Sequence, residues 1–292
     1  MRLHDDQFHI DEELVARLLA GQHPMLADLP ISRVESTGTV NALFRIGDDL
    51  CARLPLLERW AKSLRNEVRW LPWLGERISL RIPEPLFGGE PVAWYPFQWA
   101  VFRWIDGATY ADALVDDERE AARTLATFVN ELSSIEIARD APMGGRDPLR
   151  ALDVGTREAI RASNGVIDRD GAMAAWDRAL LAPAWDGRPS WIHCDLLRPN
   201  LLVDGGRLTA VIDFGGVGIG DPATDVIAAW AVFGPAGRAA YRASLDVDDG
   251  TWERARGIAL HQAALIIPYY AQTNPGFVSL AKRTVEEILA DG

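Results

Sequence analysis

The sequence is poor in cysteine, in lysine and in long apolar runs. Its two cysteines, Cys51 and Cys194, lie far apart with no second cysteine or histidine at metal-ligand spacing, which excludes a disulfide scaffold and a zinc module. Lysine is confined to Lys62 and Lys282, so nearly all the positive charge is arginine. Positive charge is itself the minority: 30 Lys and Arg stand against 42 Asp and Glu, a net charge of −12. This excludes a surface built to grip nucleic-acid backbone, which needs clustered cations, and suits a cationic or metal-bound partner. No run approaches the roughly 18 apolar residues that a spanning helix needs. The opening Met-Arg-Leu-His-Asp-Asp, soon followed by Asp11, Glu12 and Glu13, is the opposite of the basic-then-apolar pattern of an export signal. The expected compartment is therefore a reducing cytoplasm.

What is present is an ordinary soluble composition, 292 residues with 48% hydrophobic and 25% charged, enough for one large or two modest domains. Residues 11–20 read as a short amphipathic helix. From Ile31 to Pro55 the pattern becomes strand-like, punctuated by Gly38 and by Gly47-Asp48-Asp49. Trp60 to Leu74 returns to helical spacing, with Leu64, Val68, Leu71 and Leu74 on one stripe. Pro83-Glu84-Pro85 breaks that helix, and Gly88-Gly89-Glu90 turns toward a further strand, Trp99 to Ile105. After Asp106-Gly107 the composition becomes helical and alanine-rich, with Ala121, Leu125, Phe128, Val129 and Leu132 at core spacing. We therefore expect a lobe of residues 1–105, a small sheet crossed by one helix, and a larger, mostly helical lobe of residues 106–292. The acidity concentrates in the second: residues 1–106 hold 12 basic and 15 acidic side chains, and the remainder 18 and 27.

The most informative run extends from Trp191 to Gly215. Its second half is a predicted hairpin, in which Asp204-Gly205-Gly206-Arg207 supplies the positive φ angles of a tight turn. If Asp204 faces Arg207, Asn200 lies opposite Val211 and Asp213 falls within two residues of it. An amide oxygen and a carboxylate then emerge at the open end of one hairpin with Asp195 just upstream, an oxygen-only donor set of the kind that holds Mg²⁺ beside phosphates. Cys194 beside His193 reads as a small buried filler rather than a nucleophile, because a neighbour on a strand points to the opposite face. The glycines at 215, 216, 218 and 220 do not form a dinucleotide loop running into a helix. Asp221 and Pro222 read as the N-cap and first residue of a helix through Trp230, with Asp225 in a structural place one turn in.

His193-x-Asp195-x4-Asn200 followed by Asp213-Phe214-Gly215 resembles the catalytic and metal-binding loops of the protein-kinase-like fold. Either motif alone is common by chance; the pair, spaced across a hairpin, is specific. The tail Gly218-Ile-Gly220-Asp221-Pro222-Ala-Thr-Asp225 makes the sequence similar to the aminoglycoside phosphotransferase family in particular. The resemblance implies an α+β, bilobal protein-kinase-like fold with a small antiparallel-sheet N-lobe and a larger, mostly helical C-lobe. It implies that Asp195 orients and deprotonates an acceptor hydroxyl, that Asn200 and Asp213 hold Mg²⁺, and that His193 braces the loop. Those roles agree with the chemistry, since γ-phosphoryl transfer needs an aimed nucleophile and neutralised phosphate charge.

The same resemblance assigns the nucleotide to the first lobe. Gly38 and Thr39, within Ser36-Thr-Gly38-Thr-Val-Asn41, stand where a phosphate loop belongs, although an ordinary hairpin turn reads equally well from them. Arg53 stands where the family has the lysine that contacts the α- and β-phosphates, and its guanidinium can still bind phosphate. Glu67 matches the glutamate that pairs with this cation; the alternative is a solvated helix charge. The strand leading to Asp106 resembles the hinge, placing the Arg103 carbonyl and the Ile105 amide at the base edge and Phe102 along the pocket. Backbone recognition leaves ATP and GTP equally open.

In the family the acceptor lies between the catalytic loop, inserted helices at about residues 146–185 and the C-terminal helices. Asp246, Asp248, Asp249, Glu253, Glu286, Glu287 and Asp291 would draw a polyamine there by their field, or are solvated helix faces. Trp230, Trp252, Tyr269 and Tyr270 offer stacking surfaces or are core. The expected activity is an ATP- or GTP-dependent O-phosphotransferase acting on an aminoglycoside or related hydroxylated antibiotic. A kinase of choline, homoserine or methylthioribose, and a non-catalytic nucleotide-binding relative, are the alternatives.

Overall fold

The computed structural model describes residues 8–34, 40–163 and 165–291. The chain forms two compact units. The first takes in described residues of Met1–Arg77, together with Arg81–Gly107 and Ala210–Gly215; the second takes in Ile78–Leu80, Ala108–Thr209 and Gly216–Gly292.

In the first unit α1 (Glu12–Gln22) precedes strands β1 (Ile31–Arg33), β2 (Asn41–Ile46) and β3 (Leu50–Pro55), then α2 (Glu58–Gly75), β4 (Pro85–Gly89) and β5 (Trp99–Arg103). The strands form one antiparallel sheet in the order β1-β2-β3-β5-β4. Alternation in β2 buries Ala42, Phe44 and Ile46 against Val15, Leu18 and Leu19 of α1 and Trp99 and Val101 of β5. The turn residues correctly place β2 and β3, but β4 was legible only as a breaker. Pro85 is tolerated because β4 is the sheet edge, where a missing N–H costs no ladder bond, and the register slips between Pro85 and Phe87.

From Ala108 onward the elements are β6 (Ala108–Thr109), α3 (Glu118–Ser134), α4 (Leu149–Ala162), α5 (Arg169–Ala179), β7 (Ser190–Ile192), β8 (Leu201–Asp204), β9 (Arg207–Val211), whose last two residues fall in the first unit, and β10 (Gly218–Gly220). The chain continues with α6 (Ala223–Val226), α7 (Ala228–Ala231), α8 (Pro235–Ser244), α9 (Asp249–Tyr270) and α10 (Pro275–Ala290). Helix α9 is buried along most of its length and packs on α4, α5, α6 and α10. No helix among the described residues is long and apolar enough to cross a membrane. A small antiparallel-sheet unit and a mostly helical unit are the α+β, kinase-like arrangement expected from the motifs.

Two local expectations need correction. The single helix expected from Pro222 to Trp230 is two short ones, α6 and α7, because the Trp230 amide bonds back only three residues to Ile227. Asp221 still accepts from the Ala223 amide at 3.0 Å, as an N-cap would. Cys194 is not on a strand: β7 ends at Ile192, and Cys194 takes a left-handed turn with φ 79°.

Candidate active site

The predicted residues fall into two groups, each internal to one unit. In the first, β3 presents Arg53 and α2 presents Glu67. Arg53 Nη1 lies 2.5 Å from Glu67 Oε2 and Nη2 lies 3.1 Å from Oε1, a bidentate ion pair. Glu67 is 1% exposed, on the apolar stripe of α2 with Leu64, Leu71 and Leu74, so it is no solvated helix charge. A charge placed on that stripe is the signal that it has a partner. Burial pushes the Glu67 carboxyl up to about 7 against the pull of Arg53, with the Asp213 carboxylate adding to the rise. Burial disfavours the Arg53 cation, but Glu67 and Asp213 outweigh it and the guanidinium stays charged.

Asp213 Oδ1 is 3.8 Å from Arg53 Nη2, and its side chain is 49% exposed. The residue adopts φ 64°, unusual outside glycine, after the chain has left β9 at Val211. Phe102 is buried beneath Arg53, whose guanidinium carbon lies 5.1 Å from the ring centroid. At the end of β5 the Arg103 amide bonds Glu84 O and the Trp104 amide bonds Asp49 O. The Ile105 amide has no protein partner among the described residues. Gly38 and Thr39 lie outside the described residues.

The second group is built on the turn between β7 and β8. His193 is fully buried, its ring edge-on to Phe128, and its Nδ1 accepts from the Asp195 amide at 3.2 Å. Asp225, 1% exposed, accepts from the His193 amide at 2.7 Å and the Cys194 amide at 2.8 Å. Burial raises the Asp225 carboxyl to about 7, opposed by those two bonds. The Cys194 thiol accepts from the Gly145 amide at 3.0 Å, and burial pushes it up to about 12, which fits an inert filler and not a nucleophile.

The Asp195 carboxylate is held on both oxygens. Asn200 Nδ2 donates to Oδ2 at 2.9 Å and also to the Asp195 carbonyl at 2.9 Å. Gln262 Nε2, from α9, donates to Oδ1 at 2.8 Å. Because both amide hydrogens of Asn200 point at Asp195, its oxygen is directed elsewhere. Between these residues Arg198 is pinned by bonds to the Val232 carbonyl and a two-pronged contact with Asp112, which immobilises the loop.

Close to this turn lies a cavity of about 500 Å³ walled by Gly144, Arg146, Asp147, Trp185, Gly220 and His261, among others. Its glycine wall is dictated by backbone approach: a Cβ on Gly220 would meet Gly144 O at 2.8 Å. His261 is held by Thr156 Oγ1 at 2.7 Å, and burial lowers its pKa to about 4, so it is neutral. The acidic residues expected to attract a polyamine are mostly engaged otherwise. Glu287 and Asp291 bind Arg238, Arg283 and Arg256, and Asp249 pairs with Arg242. Asp248 caps α9, while Glu253 and Glu286 lie near Arg256 and Lys282. Trp230 and Trp252 pack on each other in the core, with centroids 4.8 Å apart, whereas Tyr269 is exposed.

A sequence model of the phosphotransferase enzyme family (APH) matches residues 33–258. The chain belongs to this family. It is a small-molecule kinase of the aminoglycoside phosphotransferase type, as the motifs between His193 and Asp225 led us to expect. No curated protein matches the sequence. Among solved structures, the GDP and kanamycin complex of APH(2")-IIIa is 19% identical with a TM-score of 0.73, over 95% of this chain and 99% of that one. The gentamicin complex of APH(2")-IIa is 17% identical with a TM-score of 0.63, over 97% of each chain. The macrolide 2'-phosphotransferase MphH from Brachybacterium faecium is 19% identical with a TM-score of 0.60, over 94% of this chain and 98% of that one. At these identities the likeness is one of fold.

Sequence reasoning missed Gln262 in this phosphotransferase. It lies 67 residues beyond Asp195 inside an apolar helix. The only trace of it was an amide among alanines and isoleucines.

Proposed function

We propose that this phosphotransferase moves the γ-phosphoryl group of ATP or GTP, carried with Mg²⁺, to a hydroxyl of an aminoglycoside or related antibiotic. The observation that carries the reading is Asp195: a carboxylate whose two oxygens are aimed by the neutral amides of Asn200 and Gln262. A carboxylate keeps a further lone pair on each oxygen, so one can still accept the acceptor's proton as its oxygen attacks phosphorus. His193 holds the backbone of that loop through its bond from the Asp195 amide. Residues 1–105 serve the nucleotide and residues 106–292 the acceptor, with Asp213 in the first compact unit.

Arg53 takes the phosphates, its charge secured by Glu67, while Gly38 and Thr39 cover them. The base is read by the Arg103 carbonyl and the Ile105 amide, with Phe102 supporting Arg53 from beneath. Relatives of this fold solved with GDP and with ADP support nucleotide use. Among the described residues no cluster of three or more His, Cys, Asp or Glu side chains could hold a metal. That fits Mg²⁺ all the same, since this ion keeps several waters and phosphate oxygens and needs only one or two protein oxygens. Asp213 and Asn200, a half-exposed carboxylate and an amide oxygen turned away from Asp195, are the residues that would hold it. Bound there, it would neutralise phosphate charge.

The cavity beside the Cys194 turn takes the acceptor. Its wall of Trp185, Arg146 and Asp147 suits a hydroxylated, partly charged ring system, and the exposed Asp147 carboxylate suits an ammonium group. Relatives in complex with kanamycin and gentamicin support an aminoglycoside. The test is a mass-spectrometric screen of the protein with Mg²⁺ and ATP or GTP against kanamycin, gentamicin, streptomycin, a macrolide and small alcohols. One acceptor should gain one phosphoryl group. Nucleotide binding with no phosphorylated acceptor would favour the non-catalytic alternative.

Arg53→Ala is expected to raise the nucleotide KM by about tenfold or more, since a bidentate phosphate contact is lost and Glu67 is left buried without its partner. Steady-state kinetics with varied ATP and GTP check this. An unchanged KM would mean that the phosphates find their cation elsewhere.

A further inference from the structure

We propose that Gln262 is a positioning residue for phosphoryl transfer, holding the Asp195 carboxylate in its reactive orientation from the buried helix α9. The inference deepens the reading of Asp195 as the base and rests on it. Gln262 is 8% exposed, and its neighbours on the helix, Ala259, Ala263 and Ala264, are all buried. A glutamine in such a place forfeits its hydration, and this one makes one of the four hydrogen bonds open to its amide. Nε2 donates to Asp195 Oδ1 at 2.8 Å, whereas Oε1 is buried with no partner among the described residues. A side chain kept for packing alone would be met as well by leucine or methionine. The amide is retained where its one satisfied group meets the catalytic loop.

The direction of the bond is settled by chemistry. An ionised carboxylate only accepts, so the nitrogen of Gln262 and not its oxygen must face Asp195. Asn200 holds the other oxygen, but from five residues along the same loop, so it moves whenever the loop moves. Gln262 comes from a different element. Helix α9 is tied to its surroundings by His261 to Thr156 of α4 at 2.7 Å and by Arg254 to Asp221 at 2.8 and 3.0 Å. One oxygen is thus referenced to the loop and the other to the helical scaffold, which fixes the carboxylate plane against rotation about χ1 and χ2.

The test compares wild type with Gln262→Met, which keeps the volume and loses the donor, and with Gln262→Ala should Gln262→Met fold poorly. The direct readout is the set of three-bond couplings from the backbone nitrogen and carbonyl to Cγ of Asp195, measured on selectively labelled protein. A single rotamer in wild type and averaged couplings in the variant are expected. Transfer from Mg²⁺-ATP and Mg²⁺-GTP to kanamycin and to water is followed alongside, with about a tenfold or greater fall in kcat expected at unchanged nucleotide KM. Unaltered couplings in Gln262→Met would overturn the proposal, since the carboxylate would then be held without Gln262. Asp195→Asn separates the two ideas. Full turnover in that variant removes the base reading and this inference with it, whereas an inactive Asp195→Asn beside an unaffected Gln262→Met removes only the inference.

Discussion

Asp195→Asn is expected to lower the rate of phosphoryl transfer by about 10³-fold or more, while nucleotide affinity stays within about twofold of wild type. The substitution removes the proposed proton acceptor, and it also disturbs the geometry around it. Asp195 Oδ1 accepts from Gln262 and Oδ2 from Asn200, so both positions demand an acceptor. An asparagine presents one oxygen and one NH₂ group. Its oxygen can keep the bond from Asn200 only with its NH₂ facing Gln262, whose amide must then turn over to present Oε1. The nucleotide contacts assigned to Arg53 and the hinge lie in the other compact unit and are untouched. Single-turnover kinetics give the rate and titration calorimetry with ATP and GTP gives the affinity. A rate within tenfold of wild type would remove Asp195 from the role of base.

Asp225→Ala is the second large effect, and it falls on stability before it falls on rate. The Asp225 carboxylate, fully buried, is the acceptor for two consecutive backbone amides, those of His193 and Cys194. Removing it leaves two buried N–H groups without partners, at about 1–3 kcal/mol each, or about 2–6 kcal/mol together. Against a typical total of about 5–15 kcal/mol this is a large fraction, and a fall in Tm of about 10 °C or more is expected. The left-handed turn at Cys194, φ 79°, is held by one of these bonds, so Asp195 loses its placement as well.

Asp225→Asn removes the titrating group, and it also sets an NH₂ against one of the two backbone amides that Oδ1 and Oδ2 accept from. Burial raises the wild-type carboxyl from 3.8 to about 7, although the two amides pull the other way. Between these values the folded protein keeps a proton that the unfolded chain has released. The contribution is full below the unfolded value and is lost as pH rises through the folded one, so wild-type stability declines with pH from about 4 to 7. Asparagine does not titrate, and the decline should be shallower in the variant. Urea unfolding at half-unit pH intervals measures both slopes, and parallel slopes would mean that Asp225 does not titrate in this window.

How far the sequence could be read depended on the range over which each feature is encoded. The sheet strands β2 and β3 follow from alternation and from glycine-bearing turns, and α2 and α3 from apolar stripes, all within a few residues. The candidate loop could be picked out for the same reason: His193, Asp195, Asn200 and Asp213 lie within one short stretch whose turn is locally specified. Arg53 and Glu67 could be expected to meet only through the family resemblance, since helical spacing left Glu67 readable as a solvated charge until the structure placed it on the buried face of α2.

Other features had no local signature. Edge strand β4 was hidden by Pro85, because only the finished sheet decides which strand lies at its edge. The acidic C-terminal residues read as a field for a cationic substrate or as solvated faces, whereas folding brings arginines onto Asp249, Glu287 and Asp291. Spacing by itself therefore set out a strand-rich first lobe, a helical second lobe and the turn-bearing run from Trp191 to Gly215, and the resemblance carried by its motifs supplied the α+β, kinase-like reading. Tertiary structure alone decided that Asp225 would clamp the loop from 32 residues away and that Gln262 would hold Asp195 from 67 residues away. The physical reason is that a hydrogen bond needs atoms within about 3 Å, and no periodicity in a chain announces which distant residues packing will bring to that distance.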